Sequence, residues 1–128
     1  MVLIEIVTLL ALLQFVVFGA LVGRARGKYG VDAPAVSGHV MFERYYRVQM
    51  NTLEVMAVFL PSLWLAARYW PPLWVGGVGV IYLVGRLMYF RAYVSEPARR
   101  NTGFVLSLGP AVLLLLVALV GALLAAFK

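Results

Sequence analysis

The segment Glu43–Glu54 concentrates charged and amide side chains in a chain that is 64% hydrophobic. It continues without interruption into the apolar residues Val55–Leu65, which indicates a helix that enters a membrane. Ionisable groups are unfavourable there, by roughly 2.5–3.5 kcal/mol each at mid-bilayer. Such a cluster therefore predicts a binding site for a polar ligand or a contact with a second copy of the chain.

Helical spacing arranges the polar residues of two apolar segments into stripes, because residues three and four apart share one helix face. The second segment carries four polar residues spaced three, four and three apart: Arg44, Arg47, Asn51 and Glu54. The third carries a phenol-rich stripe with one arginine: Tyr82, Arg86, Tyr89 and Tyr93. Gln49 points roughly to the opposite side of its helix.

Together these stripes predict a cationic pocket lined by phenols. Arg47, Arg86 and an arginine of the third loop can bind carboxylates, because a guanidinium presents a planar fork of donors. Glu54 can accept an ammonium and Asn51 can bind an amide. The pattern predicts a small zwitterionic, net-anionic ligand of peptide character. The structural alternative is that Arg47 and Glu54 neutralise each other, while tyrosines and arginines anchor the chain at the membrane interface.

Composition places the chain among integral membrane proteins, with a mean hydropathy of +0.96. Four apolar segments each reach the roughly 20 residues that a spanning helix needs: Val2–Val22, Val40–Trp70, Leu73–Val94 and Phe104–Phe127. The predicted fold is all-α, a transmembrane antiparallel four-helix bundle in one domain over residues 1–128, with helices near 2–25, 39–69, 72–94 and 99–127. The first segment is interpreted as a retained helix rather than a signal peptide.

The turns offer further predictions. Gly23–Gly38 is predicted to be the longest loop, and Asn101 and Thr102 are candidate caps for the last helix. His39, the only histidine, is expected to cap a helix or to be solvated, and one histidine cannot build a metal site. Three glycines of the third segment are predicted to let it approach a neighbouring helix closely: Gly76, Gly77 and Gly79.

The distribution of lysine and arginine predicts the orientation. Basic residues concentrate in the first and third loops, which the positive-inside rule places in the cytoplasm, with both termini on the opposite side. The net charge of +6 therefore needs no nucleic acid to explain it. The chain has no cysteine, which excludes disulfides and thiolate metal sites. A bacterial inner membrane is the expected location.

Three motifs resemble the MAPEG family (membrane-associated proteins in eicosanoid and glutathione metabolism). They are Glu43-Arg44-x-x-Arg47-x-Gln49-x-Asn51-x-x-Glu54, Pro61-x-x-Trp64 and Tyr82-x-x-x-Arg86-x-x-Tyr89-x-x-x-Tyr93. The similarity extends from about Arg24 to the end of the chain, and is strongest to the branch that holds microsomal glutathione transferase 2 and leukotriene C synthase. The resemblance implies a homotrimer of four-helix subunits, with glutathione bound at each subunit interface.

The resemblance also implies roles for individual residues. Six match glutathione-contacting positions of one subunit: Arg47, Asn51, Glu54, Arg86, Tyr89 and Tyr93. Arg26 and Gln49 match positions that reach the site from the neighbouring subunit. Arg100 matches the thiol-activating arginine, and the adjacent Arg99 is the alternative. Two positions depart from the family pattern: Val55 replaces an aromatic residue, and Gly27 replaces a second arginine after Arg26.

The function that this resemblance implies is a membrane-bound glutathione transferase, which conjugates the glutathione thiolate to hydrophobic electrophiles from the lipid. Glutathione would be the co-substrate, no metal is expected, and accessory reduction of peroxides is left open. One alternative is a non-catalytic scaffold of the same fold that binds lipid or glutathione. Another is a small multidrug transporter, but such transporters use a carboxylate near the middle of the first helix, where this chain has Gln14.

Overall fold

Four long helices form almost all of the computed structural model, which describes residues 1–128. They are α1 (Val2–Tyr29), α2 (Val40–Tyr69), α3 (Pro72–Ser95) and α4 (Arg100–Ala126), and a short 3₁₀ turn covers Pro97–Arg99. Each is long and apolar enough to cross a membrane. The predicted all-α fold with four helices capable of spanning a membrane is therefore confirmed.

Contacts between residues give the directions of the first two helices. Trp64 Nε1 donates to Thr8 Oγ1 at 2.9 Å, near the start of α1 and the end of α2. At the other end of the same pair, Gly19 faces the side chain of Gln49. The two helices are therefore antiparallel, as expected for neighbours joined by a short connection.

The end of α1 differs from the sequence prediction. The helix continues past residue 25 through Gly27 to Tyr29, so the first loop is shorter than predicted. It stops at Gly30, whose φ of 68° is left-handed and whose N–H donates to the carbonyl of Arg26. A positive φ ends a helix, whereas a glycine inside one only weakens it.

The start of α2 agrees with the prediction for His39. Its backbone is extended, with φ −153°, and its Nδ1 accepts a hydrogen bond from the Met41 N–H at 3.1 Å. One of the unpaired N–H groups of the first turn is thereby satisfied. The predicted capping role is confirmed.

The start of α4 contradicts the capping prediction for Asn101 and Thr102, which lie inside the helix. The 3₁₀ turn that begins at Pro97 passes directly into α4 at Arg100. Proline fixes the φ angle that a helical first turn requires. The chain therefore becomes helical before it reaches Asn101.

Most of the exterior of the bundle is apolar. Only 32 of the 128 residues are buried, and each helix exposes large apolar side chains, such as Leu9 at 64% and Val105 at 63%. The buried core joins all four helices, with Phe59 and Tyr82 stacked at its centre, 3.7 Å apart. Such an exterior suits lipid rather than water.

Glycines allow α3 to approach its neighbours closely, as predicted for Gly76 and Gly79, which face Leu3 and Val7 of α1. Gly77 instead faces open space, so that part of the prediction is wrong. The closest approach is between α3 and α4. There, a Cβ at Gly85 would lie 2.5 Å from the backbone of Leu106, and a Cβ at Gly103 would strike the backbone of Tyr89.

We expect Gly103→Ala to destabilise the protein by about 1–3 kcal/mol, because the added methyl group meets backbone atoms that cannot move aside. Gly77→Ala is the matched control. It meets no atom within 4 Å, and alanine is favoured over glycine inside a helix by up to about 1 kcal/mol. Thermal unfolding midpoints in detergent should separate the two variants. Equal midpoints would contradict the close approach of α3 to α4.

Candidate functional site

A fully buried arginine ties three helices together. Arg86 of α3 has no exposed surface. Its Nη1 donates to Asn51 Oδ1 at 2.8 Å and to Thr52 Oγ1 at 3.2 Å, both on α2. Its Nη2 donates to Ser107 Oγ of α4 at 2.7 Å. We refer to these four residues as the Arg86 cluster.

The acceptors of the Arg86 cluster are all uncharged side chains. The guanidinium also lies over the ring of Tyr89, 4.3 Å from its centroid, which is a cation–π contact. Two atoms nearby, Arg86 Nε and the Tyr82 hydroxyl, are buried without a hydrogen-bond partner. Polarisable rings and neutral dipoles therefore compensate the charge, and no carboxylate does so.

The second polar feature is an ion pair on the outer face of α2. Arg47 Nη1 lies 3.0 Å from Glu54 Oε1, and the two side chains are 50% and 59% exposed. This is the mutual neutralisation that the sequence left open as an alternative. The pair faces away from the core of the bundle. Glu54 is 14 positions beyond the start of α2, which is about 21 Å along the helix axis.

The structure therefore separates residues that the sequence placed in one pocket. Asn51 turns inward to Arg86, whereas Arg47 and Glu54 turn outward. A stripe with spacings of three and four covers about 60° of the helix surface, so its two edges can face different neighbours. Arg86 has no surface in the single chain through which it could bind a carboxylate directly.

A cavity of about 460 Å³ opens beside Arg47. It is lined by residues of the first loop, α2, α3 and the α3–α4 connection: Val36, Val40, Glu43, Arg44, Tyr46, Arg47, Tyr93 and Pro97. Of the predicted site residues, Arg47 and Tyr93 meet here. Glu43, Tyr46 and Val36 had no assigned role. Glu43 and Tyr46 belong to the polar segment Glu43–Glu54. Nothing in the sequence indicated that Val36 would line the same cavity.

Two phenols and two arginines lie at this cavity or next to it. The rings of Tyr89 and Tyr93 are 5.5 Å apart. Arg47 lines the cavity, and Arg100 Nη1 donates to the carbonyl of Pro97, another lining residue, at 2.9 Å. The structure thus brings four of the predicted residues, from three helices, into one neighbourhood.

The two candidate arginines of the third connection differ in their partners. Arg99 forms an ion pair with Glu96 at 3.0 Å, and its side chain is 79% exposed. Arg100 has no acidic partner, and its Nη1 donates to the Pro97 carbonyl at 2.9 Å. Of the two, only Arg100 keeps an uncompensated charge, and it is bonded to Pro97 at the wall of the cavity.

Arg26 and Gln49 do not reach the cavity of their own chain. Arg26 Nη1 donates to the Ala35 carbonyl at 2.6 Å, and its guanidinium lies over the Phe42 ring. Gln49 packs on the α1 side, where a Cβ at Gly19 would lie 2.6 Å from its Nε2. The structure agrees with the prediction that Gln49 faces away from the Arg47 stripe.

We expect Ser107→Ala to destabilise the bundle by roughly 2–3 kcal/mol, because it leaves a buried charged donor without its acceptor. Thr102→Ala, on an exposed position of the same helix, is the control and should change stability by less than about 0.5 kcal/mol. The measurement is the thermal unfolding midpoint in detergent. Indistinguishable variants would mean that the Arg86 cluster does not hold α4 in place.

Comparison with known proteins agrees with these observations. The profile of the MAPEG family matches residues 3–120. The chain is 40% identical to human microsomal glutathione S-transferase 2 over 122 residues, which cover 95% of this chain and 81% of the relative. It is 37% identical to leukotriene C4 synthase of Cavia porcellus over 117 residues, 91% of this chain and 78% of that one. An uncharacterised Synechocystis protein is 46% identical over 101 residues, 79% and 74% of the two chains. With a family match along nearly its whole length, the chain belongs to the MAPEG family.

Proposed function

We propose that this protein is a membrane-bound glutathione transferase that joins the glutathione thiolate to hydrophobic electrophiles. The observation that carries the proposal is the cationic, phenol-lined cavity beside Arg47 in a MAPEG chain. A glutathione S-transferase is among the relatives that are about 40% identical, which supports chemistry of the same class. Accessory reduction of peroxides would use the same thiolate.

The Arg47–Glu54 pair supplies complementary groups for the two ends of an amino acid. In this proposal the ligand separates the pair, so that Arg47 binds a carboxylate and Glu54 binds the ammonium group. Asn51 and Tyr89 form the floor of the site, and Tyr93 forms its wall. Because Arg86 is buried, its contribution is to hold Asn51 and Tyr89 in position.

We further propose that the chain works as a homotrimer. A charged pair that faces lipid is unfavourable, so the outer face of α2 needs a cover that is not lipid. A neighbouring subunit would provide it, and would supply Arg26 and Gln49, which do not reach the cavity of their own chain. The end of the bundle that holds the first and third connections, where most of the basic residues lie, is proposed to face the cytoplasm of a bacterium.

The proposed reaction requires a thiolate, which is the nucleophilic form of a thiol. A free thiol has a pKa of about 8.5, and an adjacent guanidinium that lowers it by about 2 units supplies roughly 2.7 kcal/mol of differential stabilisation. Arg100 is the proposed source of that charge. The sulfur then forms a bond to a carbon of an apolar electrophile that enters from the lipid. In a substitution, the leaving group departs with the electrons of its bond to that carbon. In an addition, a π bond or strained-ring bond to that carbon breaks, and the resulting anion takes a proton from water.

A non-catalytic binding protein of the same fold is the second candidate. The observation that favours it is that Arg47 and Glu54 neutralise each other, so neither is obliged to bind a ligand. Such a protein would bind glutathione or lipid without lowering the pKa of the thiol. Conjugation measurements separate the two candidates.

We expect Arg100→Ala to lower the rate of conjugation to a generic aromatic electrophile by roughly 25-fold at pH 7, because the thiolate fraction of bound glutathione falls. The deficit should shrink above about pH 9, where an unperturbed thiol is also ionised. Glutathione affinity should change little. Arg99→Ala, whose guanidinium is already paired with Glu96, is the matched control and should keep the wild-type pH profile. A deficit in Arg99→Ala that is missing from Arg100→Ala would reverse the assignment.

A complementation experiment tests the shared site. We expect Gln49→Ala and Glu54→Ala each to weaken glutathione binding. Subunits of the two variants, mixed in one trimer, should restore about a quarter of the sites, because some interfaces then combine an intact Gln49 with an intact Glu54. Equilibrium binding of glutathione to the mixed preparation is the readout. No recovery, or a purified protein whose mass corresponds to a single 14.1 kDa chain, would contradict the interfacial site.

A further inference from the structure

A small basic notch lies at the C-terminal end of α1, away from the cavity beside Arg47. Its volume is about 120 Å³, and six residues line it: Leu21, Arg24, Ala25, Lys28, Tyr29 and Tyr45. No acidic side chain lines it, and neither Arg24 nor Lys28 takes part in either ion pair of the chain. The notch therefore presents two uncompensated positive charges beside two phenols.

An apolar groove runs between α1 and α3. Its volume is about 300 Å³, and its walls are Leu10, Leu13, Gln14, Val17, Phe18, Leu83 and Leu87. The one polar residue, Gln14, donates its amide N–H to the Leu83 carbonyl at 3.0 Å, and its Oε1 is enclosed. The surface that the groove presents to a ligand is therefore almost entirely hydrocarbon.

The notch and the groove lie on the same face of α1. Six of the ten α1 residues that line them follow spacings of four, three, four, three and four along one stripe: Leu10, Gln14, Val17, Leu21, Arg24 and Lys28. A row of neighbouring aromatic rings also connects the notch to the groove. The ring of Tyr45 lies 5.9 Å from Phe90, which stacks on Phe18 at 5.0 Å. The two depressions are thus the two ends of one surface.

The length of this surface matches one leaflet of a bilayer. Leu10 and Arg24 are 14 residues apart, which is about 21 Å along a helix, and half of a bilayer with its headgroups is also about 20–22 Å. A basic pocket between helices at the cytoplasmic interface is suited to an anionic lipid headgroup. A zwitterionic headgroup would bring its own cation close to Arg24 and Lys28.

We propose that this surface is a binding site for one anionic glycerophospholipid. The phosphate binds between Arg24 and Lys28, the Tyr45 hydroxyl donates to the headgroup region, and an acyl chain fills the groove between α1 and α3. The site shares no lining residue with the cavity beside Arg47. Arg24 points about 160° away from Arg26, the residue proposed to face a neighbouring subunit, so the lipid surface stays open in a trimer.

The test uses delipidated full-length protein in detergent, titrated with dioleoyl phosphatidylglycerol or dioleoyl phosphatidylcholine, with bound lipid counted by native mass spectrometry. The wild type should bind phosphatidylglycerol in preference. Each basic side chain near the headgroup contributes roughly fivefold in affinity, so Arg24→Gln with Lys28→Gln should weaken binding about 30-fold. The control, Arg68→Gln with Arg91→Gln, removes the same charge elsewhere and should bind as the wild type does.

A third variant, Val17→Trp, fills the groove and leaves both charges in place. It should also weaken phosphatidylglycerol binding if an acyl chain lies there. The proposal is overturned if the two lipids bind equally, if the notch variant binds as tightly as its control, or if soluble glycerol phosphate competes as well as the lipid does. Lipid counts do not depend on transferase activity, so an inactive protein that shows the lipid preference would contradict only the proposed function.

Discussion

The arrangement of this bundle depends on keeping one guanidinium group hydrogen-bonded where no water can reach it. Arg86 is fully buried, and lipid offers no hydrogen bonds to a helix that separates from its neighbours. Its acceptors therefore have to come from α2 and α4, which fixes the relative positions of three helices. Gly85 and Gly103 allow the close approach of α3 and α4 that brings Ser107 within reach.

The same constraint determines which polar groups face outward. With Asn51 and Thr52 turned toward Arg86, the helical repeat leaves Arg47 and Glu54 on the outer face of α2. Tyr89 lies over the same guanidinium, and its ring is 5.5 Å from that of Tyr93, which lines the cavity beside Arg47. The buried cluster and the outward ion pair are thus two consequences of one helix orientation. In the proposed assembly a ligand and a neighbouring subunit cover the outward pair, and a lipid headgroup binds the basic face of α1.

Much of this structure could be predicted from the sequence, because hydropathy and helical periodicity dominate a small membrane bundle. The four helices, the polar stripes, the cap at His39 and the opposite direction of Gln49 all follow from spacing or capping rules. Helix ends were less predictable, since α1 passes through Gly27 and stops only where Gly30 takes a left-handed φ. Periodicity also could not decide which edge of the α2 stripe turns inward. That choice is made by the partners of Arg86 on other helices, and they are distant in sequence.

The most direct test of the central claim is the ultraviolet absorbance of thiolate on addition of glutathione to the purified protein at pH 7. The proposed site predicts a thiolate band that saturates with glutathione concentration and is absent with S-methylglutathione, because an adjacent cation stabilises the sulfur anion. Glutathione that binds without any thiolate band would contradict thiol activation and leave a binding protein. Failure of glutathione to bind at all would contradict the proposed site itself.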